Sequence, residues 1–302
     1  MLIIQSNLIS KFVSFIIFCI KILDKFLTKI FKKKNLINHL FDKLYSDSIS
    51  EIKINKKLVK LWTPGNYSKW MVDHFLQKEK LVEQFISEIP NNKDTIFWDI
   101  GANLGLYSIF CTLHKDKVKV IAFECSPSAV LAISKNISLN KFESRISIFQ
   151  LGLTNKNSFL MLKEDRDSLG DQFNSLGKDF DFKNQTTNNP EHKYKVYSSS
   201  VYNLLENKAL EIPNYIKLDV GSFELEVLEG FGNFLENPKI KSIVTEIKFG
   251  SKKVGKYIFD EEKLIEKSNK IYDILFKAGF KSKHLEDGNN KEGWYLDIFY
   301  RL

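Results

Sequence analysis

The chain has little cysteine, proline or glycine, with 3, 6 and 14 of these residues among 302. So few prolines and glycines exclude a fibrous or largely disordered chain, and 43% hydrophobic residues are ordinary for a globular protein. Cys19, Cys111 and Cys125 have the spacing of neither a disulfide framework nor a zinc knuckle, so we expect a cytoplasmic protein. No two of the five histidines lie three or four residues apart, so the sequence offers no local pattern of histidine ligands for a metal.

Arginine is absent from the first 60 residues, where twelve lysines stand against four acids. This excess equals the formal net charge of +8, so the rest of the chain is balanced. An enzyme of nucleic acids is more often basic around its catalytic domain, and we therefore expect no nucleic-acid partner.

Apolar residues recur at alternating spacings of four and three between Ile9 and Ile30, which predicts one face of an amphipathic helix. Lysines fall on the opposite face of that helix. The charge-free window between Lys11 and Lys21 is nine residues long, whereas a helix that spans a bilayer needs roughly 20. We therefore expect residues 8–34 to lie in the interface of an anionic membrane, on its inner face. Packing of this helix against its own domain or against a partner helix is the alternative.

Short apolar strands alternate with helices through the middle of the chain, which indicates an α/β fold with a mostly parallel, doubly wound sheet. A last helix and two strands predict an antiparallel hairpin at the C-terminus. The predicted strands cover 95–100, 118–124, 146–150, 215–220, 242–247, 281–286 and 294–300, and the predicted helices cover 104–114, 128–139, 224–235 and 260–278.

Three segments interrupt or precede this alternation. Residues 53–62 predict a short hairpin, and a helix is expected over 69–89. The polar stretch 163–195 is interpreted as an inserted loop. We expect three domains along the chain, namely a basic amphipathic helix over 1–35, an extension of helices and a hairpin over 36–90, and the α/β domain over 91–302.

The first strand of the sheet ends in a glycine-rich turn with the sequence DIGANLG, from Asp99 to Gly105. Ligands of such sheets bind at the carboxyl ends of the strands. A dinucleotide fingerprint needs glycine in place of Asn103 and Leu106, so a nicotinamide-dependent oxidoreductase is the least favoured alternative. Asp99 would repel a pyrophosphate and attract a ligand that carries an ammonium and a sulfonium group.

The second strand ends in Glu124, which can accept two hydrogen bonds from a ribose diol. Gly101 leaves room for a ligand to pass, and Gly105 lets the next helix pack onto the strand. S-adenosylmethionine (SAM) carries both cationic groups and no phosphate, and therefore suits these residues. The predicted cofactor-binding residues are Asp99, Gly101, Asn103, Gly105 and Glu124.

Three parts of the sequence resemble the FkbM-type SAM-dependent methyltransferases. They are DIGANLGLYS from Asp99 to Ser108, AFECSP from Ala122 to Pro127 together with Asn136 and Asn140, and the segment from Ile216 to Gly230. The resemblance implies a class I methyltransferase fold, which is Rossmann-like, and SAM as the methyl donor. It also implies O-methylation of a hydroxyl on a glycan, a glycolipid or a related small molecule.

The resemblance also places an acid-bearing segment with Asp219 and Glu224 after the fourth strand. A hydroxyl acceptor must lose a proton to a base. Asp219 is the first candidate for that base, and Glu246 at the end of the fifth strand is the second. Glu224 stands in the first turn of a predicted helix, which favours an interaction with the helix dipole.

The absence of a family glutamate at position 221 affects two alternatives, a metal-dependent reaction and a catalytically impaired protein. The family has Glu-Gly after Asp219-Val220, where this chain has Gly221-Ser222. The acids nearby could hold a divalent metal ion that lowers the acceptor pKa, but the loss weakens such a cluster, and no metal is predicted. The same loss keeps a catalytically impaired SAM-binding protein as an alternative function.

Overall fold

Contacts between residues divide the chain into two compact units, 1–49 and 50–302. The domain limits predicted at residues 35 and 90 stay predictions. The computed structural model describes residues 2–31, 36–54, 56–77, 79–164, 175–176, 192–221, 223–248, 253–254, 257–258, 261–285 and 294–301.

The N-terminal unit contains the helices α1 (Leu2–Phe31) and α2 (Leu36–Ser46), and α1 confirms the predicted N-terminal helix. The Asp24 carboxylate of α1 accepts a hydrogen bond from the backbone N–H of Ile37, with an oxygen-to-nitrogen distance of 3.3 Å. Ile37 lies in the first turn of α2, where the helix dipole favours a negative charge. Within the described residues, no helix combines the length and the apolar character that crossing a membrane requires.

The hairpin predicted over 53–62 is present with a longer first strand, as β1 (Ile49–Ile54) and β2 (Lys57–Trp62). Asn136 anchors it, because its Oδ1 accepts a hydrogen bond from the Trp62 N–H at 2.6 Å. The Nδ2 of the same fully buried amide donates to the Leu104 carbonyl at 2.9 Å. The hairpin is thereby tied to the glycine-rich turn.

The remaining elements follow the hairpin in chain order. They are α3 (Asn66–Gln77), α4 (Glu79–Ser87), β3 (Thr95–Ile100), α5 (Leu106–His114), β4 (Val118–Phe123), α6 (Pro127–Leu139), β5 (Ile146–Phe149), β6 (Gly152–Thr154), β7 (Ser158–Glu164), β8 (Ser175–Leu176), β9 (His192–Ser200), α7 (Val201–Glu206), β10 (Tyr215–Leu218), α8 (Glu224–Gly230), a 3-10 helix (Gly232–Glu236), β11 (Ser242–Lys248), β12 (Lys253–Val254), β13 (Tyr257–Ile258), α9 (Glu261–Lys277), β14 (Lys281–Leu285) and β15 (Trp294–Tyr300).

Seven of the described strands form the central sheet, in the order β14-β15-β11-β10-β3-β4-β5. The strands from β5 to β11 pair in parallel, whereas β15 is antiparallel to both β11 and β14. This confirms the predicted α/β fold, a mostly parallel doubly wound sheet with an antiparallel C-terminal hairpin. The chain reverses its direction of travel across the sheet between β3 and β10, so the site is expected at the carboxyl ends of these strands.

The centre of the sheet is apolar, with two charged exceptions. Trp98 on β3 packs between Phe123 and Phe231, with ring centroids 4.9 and 6.1 Å away. Central parallel strands are covered on both faces, which explains why they read as continuous apolar runs. Asp99 and Lys217 are nevertheless buried, with 0% and 6% of their surface exposed, and the register sets them opposite each other on β3 and β10.

A second sheet lies outside the sequence prediction. β6, β9, β7 and β8 form it in that order, and β7 pairs antiparallel with β9 from Ser158 and Ser198 to Glu164 and His192. The prediction of a loop over 163–195 is therefore wrong at both ends, which are strand. The exposed face of β9 carries lysines, and these conceal its alternating pattern. Residues 165–174 and 177–191 of that loop lie outside the described residues.

Two of the predicted helices are each divided into two elements in the structure. The range 69–89 holds α3 and α4, and residue 78 between them lies outside the described residues. The helix predicted over 224–235 ends at Gly230 as α8 and continues as the 3-10 helix. Gly232 has a φ of +55°, which an α-helix does not accommodate.

Candidate active site

Asp99 lies at the base of the candidate site, at the end of β3. Its Oδ2 accepts hydrogen bonds from the Ser108 N–H at 3.0 Å and the Ser108 hydroxyl at 2.6 Å, in the first turn of α5. Its Oδ1 accepts no hydrogen bond from the described residues and is 3.4 Å from the Lys217 Nζ. Because Asp99 is fully buried and engaged from two sides, its direct contact with a ligand stays a prediction.

Lys217 on β10 is the residue that the sequence reading missed. Its Nζ donates a hydrogen bond to the Gly101 carbonyl at 2.8 Å and is 3.8 Å from the Asp219 Oδ2. Burial alone would lower the pKa of Lys217, but the charges of Asp99 and Asp219 outweigh burial and raise it, so the side chain stays cationic. A single lysine within a buried apolar strand was the available signal, since such a charge needs a partner.

The backbone that follows β10 packs directly against the glycine-rich turn. Gly101 has a φ of +77°, and a Cβ on it would lie 1.9 Å from the Asp219 backbone oxygen. The reason predicted for Gly101, room for a passing ligand, is therefore wrong, because the end of β10 occupies that space. Gly105 has a φ of +76°, and a Cβ on it would lie 3.3 Å from Ile133 Cγ2 of α6. Its missing side chain therefore makes room for α6, rather than for the strand that the sequence predicted.

Glu124 presents its carboxylate at the end of β4, held by three backbone N–H groups. Oε1 accepts from Cys125 at 2.8 Å and from Ser126 at 2.9 Å, and Oε2 accepts from Asn103 at 2.9 Å. Burial raises the pKa of Glu124, and these N–H groups oppose the rise. The half-buried carboxylate is thus joined to the turn through Asn103, so the structure brings all the predicted cofactor-binding residues together.

Three carboxylates gather beside the turn. One oxygen from each of Asp219, Glu224 and Glu246 lies within 4.8 Å of the others. Asp219 is exposed, Glu246 is half-buried, and the buried Glu224 accepts a hydrogen bond from the Val220 N–H at 3.1 Å. The structure therefore brings the two predicted catalytic acids together and adds Glu224 to them. Three such oxygens are able to bind a divalent cation, and the exposed one is able to accept a proton.

Tyr107 faces the same acids. Burial raises its pKa, and the charges of Asp219, Asp99 and Glu246 raise it further, so the phenol stays protonated in the neutral range. Lys217 Nζ lies 5.1 Å from the centre of its ring. A protonated phenol cannot accept a proton, so Tyr107 differs in this respect from the carboxylates beside it.

The charge of the site selects against phosphate. Four carboxylates lie at these strand ends and Asp99 lies beneath them, and Lys217, the cation that pairs with Asp99 and Asp219, is also engaged by the Gly101 carbonyl. The arrangement suits a cationic ligand with hydroxyl groups, bound beside a proton acceptor.

Comparison with known proteins identifies relatives of this domain. Residues 99–282, more than half of the chain, match the family model described as "Methyltransferase FkbM domain". The hexuronic acid methyltransferase AglP of Haloferax volcanii is 23% identical over 181 residues, 60% of this chain and 66% of AglP. Methyltransferase sdnD of Sordaria araneosa is 31% identical over 90 residues, 29% of this chain and 34% of sdnD. The chain thus spans less than two thirds of the length of these relatives.

Solved structures show weaker similarity. The precorrin-6y C5,15-methyltransferase of Geobacter metallireducens has a TM-score of 0.40 at 12% identity, over 74% of this chain and 89% of its own. The ribosomal protein L11 methylase of Lactobacillus delbrueckii has a TM-score of 0.42 at 14% identity, over 75% of this chain and 80% of its own.

Lys217→Met is expected to lower the free energy of unfolding by about 3–5 kcal/mol, because it leaves the Asp99 carboxylate buried without its cation. Urea titration measures this loss. The double variant Asp99→Asn/Lys217→Met removes both charges and is expected to recover more than half of it. A loss below about 1 kcal/mol in the single variant would contradict the buried ion pair.

Gly101→Ala is expected to lower the free energy of unfolding by more than about 4 kcal/mol, since the new Cβ would collide with the Asp219 backbone. Gly221→Ala is the matched control, with a φ of +62° and nothing within 4 Å of the added Cβ. This control is expected to lower the free energy of unfolding by only about 1–2 kcal/mol, which is the strain of placing alanine in the left-handed conformation. Equal losses of the two variants in urea titration would show that the close approach is not what requires Gly101.

Proposed function

The chain belongs to the FkbM methyltransferase family, and from this premise we propose that it methylates an oxygen of a glycan, glycolipid or related small molecule with SAM as donor. The observation that carries the proposal is the Glu124 carboxylate, fixed by three backbone N–H groups beside the glycine-rich turn. Two of these N–H groups use both lone-pair sites of Oε1 and one uses a site of Oε2, so Oε2 retains acceptor capacity for a ribose hydroxyl.

The residues at the strand ends fit the donor. SAM would supply an electrophilic methyl group on a positively charged sulfur. A pair of unit charges about 4 Å apart is worth about 1 kcal/mol in water and about 4 kcal/mol near a protein surface, so a carboxylate-lined site favours this cation. Asp99 adds negative charge from below the turn, and Glu124 Oε2 is the proposed acceptor for a ribose hydroxyl.

Asp219 is the group we assign to take the proton from the acceptor hydroxyl. Its side chain is 52% exposed, so an acceptor can reach it, and Lys217 lies 3.8 Å behind it. Glu246 is the second candidate. The three acids gather without help from residue 221, and Gly221 is itself exposed, which supports an active enzyme over the catalytically impaired alternative.

The class of acceptor rests on the family relative. AglP is named for hexuronic acid, a sugar, and this supports a glycan-related acceptor for the present chain. The acids beside the turn support transfer to a hydroxyl, because a hydroxyl needs a base whereas a carboxylate acceptor does not.

Glu124→Gln is expected to weaken SAM binding roughly tenfold or more, since hydrogen bonds to a charged group are worth about 1.5–3 kcal/mol. Isothermal titration calorimetry measures the affinity. The raised pKa of Glu124 means that it takes up a proton at a higher pH than an ordinary glutamate, so SAM affinity should fall on acidification and this fall should disappear in the variant. Glu211→Gln, on the exposed surface, is the control. Equal affinity in both variants would contradict the assignment.

Asp219→Asn is expected to lower kcat roughly 10²–10⁴-fold, whereas the dissociation constant of SAM should rise by less than about tenfold through the loss of one negative charge. The assay follows S-adenosylhomocysteine release with uronic acid glycosides and neutral glycosides as acceptors. Asp116→Asn, another exposed aspartate, is the control.

Mass spectrometry before and after alkaline hydrolysis separates a stable methyl ether from a labile methyl ester. Full turnover in Asp219→Asn would contradict this assignment and would show that another residue is the base. SAM binding without turnover on any acceptor in the panel would count against this acceptor class and favour the impaired alternative.

A further inference from the structure

The N-terminal unit leaves a broad apolar surface exposed to solvent. Phe12, Phe15 and Phe26 of α1 are 63%, 62% and 59% exposed, and Phe41 of α2 is 62% exposed. At about 100° per residue, the apolar side chains of α1 cover more than half of its circumference. The other large hydrophobic residues exposed on the two helices are Val13, Ile16, Ile17, Phe18, Ile22, Leu23, Ile30, Leu36, Leu40 and Leu44.

One side of α1 carries a stripe of lysines, and Phe18 lies among them. Lys11, Lys21, Lys25 and Lys29 fall within a sector of roughly 80°. Successive lysines from 21 to 29 are four residues apart, a spacing at which like charges repel. In the part of the chain that the structure describes, no carboxylate pairs with any of the four.

The single acid of α1 does not offset this stripe. Asp24 accepts a hydrogen bond from the Ile37 N–H and thus links α1 to the first turn of α2. The sequence then continues into three further lysines, Lys32-Lys33-Lys34. The unit therefore presents an uncompensated positive stripe beside an uncovered apolar face.

We propose that α1 and α2 lie on an anionic lipid bilayer, with the phenylalanines in the acyl boundary and the lysines at the head groups. Charge complementarity identifies the occupant, since an anionic surface removes the repulsion within the stripe. A nucleic acid would meet the lysines but leave the phenylalanines in water. This interface is independent of methyl transfer, although a glycolipid acceptor would be presented at the same surface.

Co-sedimentation of the full chain with vesicles tests the proposal. Binding is expected to vesicles with about 30% phosphatidylglycerol in phosphatidylcholine, to be much weaker with phosphatidylcholine alone, and to fall between about 0.05 M and 0.5 M salt. Two triple variants, Lys21→Glu/Lys25→Glu/Lys29→Glu and Phe12→Ser/Phe15→Ser/Phe26→Ser, should each raise the lipid concentration for half-maximal binding roughly tenfold or more.

The matched control makes the same change of charge on the larger unit, with Lys119→Glu/Lys239→Glu/Lys241→Glu, all exposed positions. It should bind as the parent chain does, and thermal unfolding should show that every variant is folded. The proposal is overturned by absence of vesicle binding, by equal loss in the control, or by binding that the phenylalanine variant retains. Resistance to alkaline carbonate extraction would also overturn it, because it indicates a spanning segment.

Discussion

One buried cation, Lys217, holds the carboxyl ends of the two central strands in place. It donates to the Gly101 carbonyl of the turn and lies between the carboxylates of Asp99 and Asp219. Removing Lys217 leaves the Asp99 carboxylate buried without its cation, and removing Asp99 takes from Lys217 its buried counter-ion, which is costly in a low-dielectric interior. The turn and the exposed acid are consequently fixed relative to each other before any ligand arrives, as preorganised binding requires.

This constraint divides the acids by role. Asp99 is hydrogen-bonded to Ser108 and ion-paired with Lys217 beneath the turn, so its charge acts from behind the site. Glu124 is the carboxylate to which we assign the ligand contact, because its own partners are backbone N–H groups that fix its direction. The same turn positions both, since the Asn103 N–H that binds Glu124 lies two residues after Gly101.

The sequence predicts most of the sheet and only part of the site. Apolar strands such as β3 can be predicted from the sequence, because a strand that is buried on both faces contains few polar residues. The acids that follow these strands can then be placed at the ligand-binding edge of the sheet, because the chain direction fixes which end is the carboxyl end. The role of Lys217 depends on its register opposite Asp99, a pairing between strands far apart in sequence. The reason for Gly101 is equally non-local, since the atom that fills its Cβ space belongs to Asp219. β9 was not predicted as a strand, because the lysines on its exposed face give its sequence the polar composition of a loop.

The electrostatics of the site also bear on which oxygen receives the methyl group. Asp219, Glu224 and Glu246 together favour a cationic donor, but they repel a second anion placed among them. A uronic acid would therefore enter with its carboxylate directed away from these acids and a neutral hydroxyl toward Asp219. That orientation uses the base, whereas a carboxylate acceptor would face the repulsion and have no proton to give. Under the proposed function, the negative field that attracts the donor thus also favours ether formation over ester formation.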